Sequence, residues 1–270
     1  MVRSVQVGGA ERNARKRRQQ EAAKAVGKAR GASGNSTRNA IVIGVVVVVV
    51  IGLAVIGGVL LNQKEAPTAL QPAAESASSY DATVQSGGVV VAGAKDAPVT
   101  VEVYEDFLCP ACGMLFDQSH KDVEKALASG KLKARFHLIN MLDSQSDPPG
   151  YSLEAANAAS CAAESGKFQR YYNTLFEKQP EEGGAGYTTD QLVELGKKVG
   201  APADKFGRCV RRGTYKNDVQ QGYQKAQQDL RKIYGDQFGT PSVVHNGRPV
   251  EAMGNPHWAS DLVAKSGKDS

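Results

Sequence analysis

Ala40 to Leu61, AIVIGVVVVVVIGLAVIGGVLL, is a run of 22 residues without a single charge. As a helix rising about 1.5 Å per residue it would extend about 33 Å, enough to cross a hydrocarbon core of about 30 Å. Lipid leaves a backbone no hydrogen-bond partner but its own helix, so the many valines do not argue against helix there. The run is longer than the apolar core of a cleaved signal peptide, starts later, and continues into NQKEAP rather than a small-x-small cleavage site. It is therefore expected to be a transmembrane helix over 40–61.

Charge orients it. Residues 1–39 hold ten Lys/Arg against two acids, whereas the other 231 residues hold 23 basic and 26 acidic side chains. The basic balance belongs to a tail, expected to stay in the cytoplasm while everything after Leu61 lies outside. It does not mark a nucleic-acid-binding domain, and no nucleic-acid partner is expected. Residues 62–88 are rich in Ala, Ser, Pro and Gln, and the composition reads as a flexible linker with a root-mean-square span of about 30 Å. An even number of cysteines, four, in an extracytoplasmic domain suggests pairing.

From Val89 the pattern becomes that of a folded domain, expected over 89–270. In VTVEVYEDF, Val99, Val101 and Val103 alternate with Thr100, Glu102 and Tyr104 as in a strand. Leu115, Phe116, Val123, Ala126 and Leu127 then recur at helical spacing until Gly130, and KLKARFHLI alternates again. Strand, helix and strand make a βαβ unit, and hence an α/β fold with parallel pairing. Residues at about 151–234 read instead as consecutive helices, an insertion; TTDQLVELGKKVG has a Thr start and a Gly stop. The chain returns to strand at FGTPSVVHNGRPV, where Asn246-Gly247 signals a hairpin. NPHWASDLVAKSG closes it as a helix, with Asn255 expected as N-cap and Pro256 in the first turn.

EDFLCPACGMLF places Cys109 and Cys112 where the strand gives way to the helix. Unsatisfied N–H groups and the positive end of the helix dipole favour a thiolate at Cys109, which is expected to present an exposed, reactive sulfur with Cys112 one turn inside. Such a pair exchanges disulfides with another protein through a mixed disulfide. A structural zinc site wants four ligands; a single C-x-x-C with isolated Cys161 and Cys209, and no histidine at matching spacing, does not supply them. No metal and no cofactor is expected. Glu105 and Asp106 raise the Cys109 pKa if buried, or serve as proton acceptors for Cys112, or sit solvated at the strand end, the commoner case. His137, His245, His257 and Trp258 are read as structural.

VEVYEDFLCPACGMLF, the helical insertion, FGTPSVVHNGRPV and the last helix together resemble the DsbA-like thioredoxin-fold oxidoreductases, in particular the membrane-anchored extracytoplasmic ones of actinobacteria. The resemblance spans about residues 89–266 and implies a thioredoxin-like fold with a helical insertion, preceded here by the expected transmembrane helix. It implies that Cys109 is the attacking and attacked sulfur, Cys112 the resolving one, and Pro110 and Ala111 the dipeptide that tunes the potential. Pro241 resembles the family's cis-proline, beside which the Thr240 backbone pairs with an extended substrate; read alone, Pro241 also suits the start of a strand. Strongly oxidising relatives carry His where this chain has Ala111, which leaves the direction of electron flow open. Cys161 and Cys209 both point toward a helical core, and the resemblance implies that they form a second, structural disulfide, free buried thiols being the alternative. The implied activity is disulfide insertion into exported proteins that carry thiols, with recharging by a quinone-coupled, vitamin K epoxide reductase-like membrane oxidase. A reductase or isomerase, as in cytochrome maturation, and a redox-silent peptide-binding module are the alternatives.

Overall fold

Alternation in VTVEVYE and LKARFHL sends Val99, Val101 and Val103 of one segment and Leu132, Ala134, Phe136 and Leu138 of the other into one core. The structure is a computed structural model that describes residues 69–85 and 87–266. In chain order it runs through β1 (Ala82–Val84), β2 (Val90–Gly93), β3 (Val99–Glu105), α1 (Pro110–Ala128) and β4 (Leu132–Leu138). The insertion follows as α2 (Tyr151–Glu164), α3 (Phe168–Glu177), α4 (Thr189–Lys198), α5 (Ala203–Arg212) and α6 (Lys216–Tyr234). Then come β5 (Ser242–His245), β6 (Arg248–Pro249) and α7 (Trp258–Ser266). The expectations for the basic tail and the Ala40–Leu61 span fall outside the described residues. Among the described residues no helix is long and apolar enough to cross a membrane.

The strands form one mixed sheet in the order β1-β2-β4-β3-β5-β6. Strands β3 and β4 are parallel, in register from Val99↔Leu132 to Glu105↔Leu138, with α1 as the crossover. The neighbouring pairs are antiparallel. Helix α7 packs on α1, and the Trp258 indole donates to Ser119 Oγ at 3.1 Å. Leu230 and Ala226 of α6 join Tyr104 and Val244 in a smaller apolar cluster. Each large apolar side chain so buried contributes about 1.5–3 kcal/mol. The effect is to fix the C-terminal end of β3, a central strand, as a rigid platform.

Local chemistry explains the boundaries. The Thr188 side chain accepts from the Gln191 amide and the Gln191 side chain reaches back to the Thr188 amide, a capping box that starts α4. Asn246 (φ 51°) and Gly247 (φ 72°) take the paired left-handed conformations that a two-residue hairpin needs. The final helix begins later than expected, at Trp258. Asn255 spends its Oδ1 on the His257 amide at 3.0 Å, which closes a turn ahead of the helix rather than capping it.

The expectation of a flexible linker over 62–88 is corrected for its described part. Leu70 and Ala73 are buried, and β1 pairs with β2. The Ala73 amide donates to Thr174 Oγ1 at 2.9 Å, while Arg170, Gln169 and Lys198 donate to the carbonyls of Ala73, Ser78 and Leu70. Side chains of the insertion thus hold backbone groups that the segment's own composition would leave to water.

Candidate active site

Strand β3 ends at Glu105, and the turn Asp106–Cys109 delivers the chain into α1. Cys109 is the N-cap, in an extended conformation, and Pro110 occupies the first helical turn, where its missing N–H costs nothing. Asp106 organises this turn: its Oδ1 accepts from the Leu108 amide at 2.9 Å and from Ser152 Oγ at 2.6 Å, and its Oδ2 accepts from the Leu142 amide at 2.8 Å. The carboxylate is buried, so the expectation of solvated acids at this strand end is corrected. Three donors offset the cost of burying it, although burial still raises its pKa.

Cys109 and Cys112 are both free thiols. The expectation of an exposed Cys109 sulfur is also corrected, since the residue is only 5% exposed. Thr240 covers it from across the fold, with its carbonyl 3.4 Å from Cys109 Sγ in a cis Thr240-Pro241 segment. The Thr240 hydroxyl is buried and has no protein partner. The Cys109 pKa is lowered to about 6, first by hydrogen bonding from the Cys112 thiol, against the opposing effect of burial. Hydrogen bonds from the Cys112 and Ala111 amides lower it further. The Cys112 thiol is pushed well above its usual value by burial, by the proton it shares with Cys109 and by the nearby Glu105 charge. One sulfur is thus poised as a thiolate near neutral pH and its neighbour as a thiol, the division of labour that dithiol exchange requires.

Glu105 is the second buried acid. Burial raises its pKa to about 7, against the hydrogen bond it accepts from the Tyr172 hydroxyl at 2.5 Å. It borders a cavity of about 30 Å³ whose lining includes Tyr80, Ser119, His120 and Glu124. That space suffices for a water molecule with polar neighbours. The charge of this carboxyl group acts on the Cys112 thiol and helps to raise its pKa. Tyr172 lies in the insertion and carries no sequence signal that links it to the C-x-x-C segment.

The other two cysteines are joined elsewhere. Cys161 of α2 and Cys209 of α5 form a disulfide inside the insertion. His137 pairs with Glu102 at 2.5 Å and stacks on Tyr104, while His245 Nδ1 bonds the Thr100 carbonyl at 2.7 Å. Among the described residues no three His, Cys, Asp or Glu side chains converge as a metal site. The structure therefore brings Cys109, Pro110, Ala111, Cys112, Thr240 and Pro241 together and keeps Cys161 and Cys209 apart from them.

Residues 85–263 match the family described as Thioredoxin. MdbA, a thiol-disulfide oxidoreductase from Corynebacterium diphtheriae, superposes with a TM-score of 0.59 at 25% identity, over 71% of this chain and 95% of that one. Oxidised DsbA from Mycobacterium tuberculosis superposes with a TM-score of 0.54 at 29% identity, over 70% of this chain and 92% of that one. The serine/threonine-protein kinase PknE of Mycobacterium tuberculosis H37Rv is 31% identical over 193 residues, which are 69% of this chain and 33% of the kinase. The chain spans about a third of the length of this curated relative.

Proposed function

The chain belongs to the thioredoxin family as a DsbA-like thiol-disulfide oxidoreductase, and from that premise we propose that it inserts disulfides into exported proteins through the Cys109–Cys112 pair. The observation that carries this reading is the geometry of the pair: Cys109 caps helix α1 with Cys112 one turn inside, and the Thr240 carbonyl beside cis Pro241 lies 3.4 Å from the Cys109 sulfur, an arrangement in which the lowered Cys109 pKa is the expected companion. A stabilised thiolate stabilises the dithiol enzyme, and the disulfide enzyme becomes correspondingly more oxidising.

In the proposed cycle, a substrate thiolate attacks Sγ of Cys109 in the oxidised enzyme. The Cys109–Cys112 bond breaks, a mixed disulfide forms, and Cys112 departs with the electron pair. Because the Cys112 thiol binds its proton tightly, it takes one up at once. A second substrate thiolate then attacks the substrate sulfur of the mixed disulfide and releases Cys109 as a thiolate. Two electrons pass from substrate to enzyme, and a substrate disulfide leaves. Thr240 and Pro241 border the exchanging sulfur, where an extended substrate segment would align. A quinone-coupled membrane oxidase of the vitamin K epoxide reductase-like type would reoxidise the pair, with the enzyme held outside the cytoplasm by Ala40–Leu61.

Ala111 favours the opposite direction of flow, because it supplies no imidazole to the thiolate. The reduction potential decides. A value near −120 mV, the range of a strong oxidant, is expected on the proposed reading, and one near −270 mV, the thioredoxin range, would make the protein a reductase. Cys109→Ser is expected to abolish oxidative refolding of a reduced protein substrate; retention of that activity would end the assignment of Cys109.

A further inference from the structure

The turn that carries Cys109 is held from two sides. Asp106 takes its amides. Its carbonyls face the helical insertion, where the Gln179 carboxamide donates from Nε2 to the Phe107 carbonyl at 3.1 Å and to the Cys109 carbonyl at 3.0 Å. Both partners are acceptors, so the amide nitrogen must face them. Its oxygen then lies over Gly113, where an added Cβ would overlap Gln179 Oε1. Gly113 sits within α1 and does not adopt a positive φ, so close approach, and not backbone conformation, accounts for glycine there. The Cys109 carbonyl also accepts from the Cys112 amide at 3.0 Å and the Gly113 amide at 3.2 Å. Gln179 follows directly on α3, the helix whose Tyr172 reaches Glu105. The helix and the residue two positions past its end thus hold Glu105 and the Phe107–Cys109 turn on either side of the dithiol.

We propose that Gln179 is a positioning residue of the redox site: its carboxamide locks the Phe107–Cys109 turn against the first turn of α1, so that the Ala111 and Cys112 amides stay aimed at the Cys109 sulfur. This rests on the assignment of Cys109 as the exchanging sulfur and adds that the insertion, through Gln179, sets how well that sulfur carries charge. A backbone carbonyl free to rotate would carry its peptide plane with it and misalign the amides that follow. No charge on Gln179 is involved. Its contribution is geometric, and it disappears if the amide is pushed aside while the side chain remains.

The test is a double-mutant cycle in the full-length protein, read by the ultraviolet absorbance of the Cys109 thiolate against pH and by its alkylation rate. Gln179→Ala is expected to raise the Cys109 pKa by about half a unit to one unit, the size of a modest hydrogen-bond loss. The thiolate fraction near pH 6, and the alkylation rate with it, then falls about twofold to fivefold. Gly113→Ala keeps Gln179 but displaces its carboxamide, and it is expected to shift the pKa in the same direction. Added to Gln179→Ala, Gly113→Ala is expected to change nothing further, and the better helix propensity of alanine guards against loss of folding. Wild-type titration in both single variants overturns the proposal, as does full additivity in the double variant. A wild-type Cys109 that titrates as an ordinary thiol overturns the assignment of the exchanging sulfur instead, so the two failures are distinct.

Discussion

Two demands conflict at Glu105. Burial in the core opposes ionisation, while Tyr172 and the nearby dithiol give the carboxyl a use for its charge. With its pKa raised to about 7 from an ordinary 4.5, the native protein holds a proton over that window that the unfolded chain has released. Stability therefore falls as pH rises from about 4.5 to about 7, and the full penalty persists above. Glu105→Gln is expected to flatten this slope, with no gain near pH 4 and a gain of about 3 kcal/mol at pH 8. Urea denaturation of the oxidised protein at the two pH values measures it, and an unchanged slope would count against the buried ionisation. Cys109 contributes with the opposite sign and in a different window. Its pKa is lowered from 9.0 to about 6, so its contribution to the dithiol form grows as pH rises from about 6 to about 9 and is lost as pH falls through about 6. Reduced wild type is expected to gain stability over that interval relative to reduced Cys109→Ser; parallel pH profiles for the two would refute the lowered pKa. At this scale the reactive pair was legible in EDFLCPACGMLF, because a C-x-x-C at a strand-to-helix junction has few other uses. The burial of Glu105 and Asp106 was not legible, because their covering residues come from the insertion.

The insertion acts as an element in its own right. The Cys161–Cys209 bond closes a loop of 48 residues, and chain entropy puts its contribution at about 4 kcal/mol. Replacing both cysteines with alanine is expected to lower stability on that order while leaving the alkylation rate of Cys109 unchanged; a large change in that rate would mean that the staple sets the redox geometry. The buried Asn157 supports the same region, donating to the Val210 carbonyl at 3.1 Å and accepting from the Tyr215 amide at 2.9 Å. Helix starts and stops of the insertion were readable where they depend on local chemistry, as at Thr188 and Gly200. The start of the last helix differs, because the Asn255 side chain accepts from the His257 amide in a turn ahead of it. Gln179 sits in the break QPEEGGAG, where composition signals only a loop, and nothing in its neighbours indicates that it reaches residues 70 positions earlier.

At the scale of the molecule, the segment before β2 separates two pictures of the protein. A free linker would leave Leu70 in water, and its truncation would cost nothing. In the structure Leu70 is 3% exposed, so Leu70→Ala is expected to lower stability by about 2–3 kcal/mol. Chemical denaturation of the wild-type and variant proteins checks this, and equal midpoints would restore the linker. Composition misjudged this segment because its order comes from Arg170, Gln169, Thr174 and Lys198, side chains about a hundred residues away. The βαβ unit, the Asn246-Gly247 hairpin and the helical insertion were determined by sequence alone, since each is written in a short-range period or a turn residue. Only the tertiary structure decided what surrounds the sulfur. Thr240 meets Cys109 across 131 positions, Gln179 across 70 and Tyr172 meets Glu105 across 67. Contacts of that separation depend on how the sheet and insertion pack, and no local pattern in the chain encodes them.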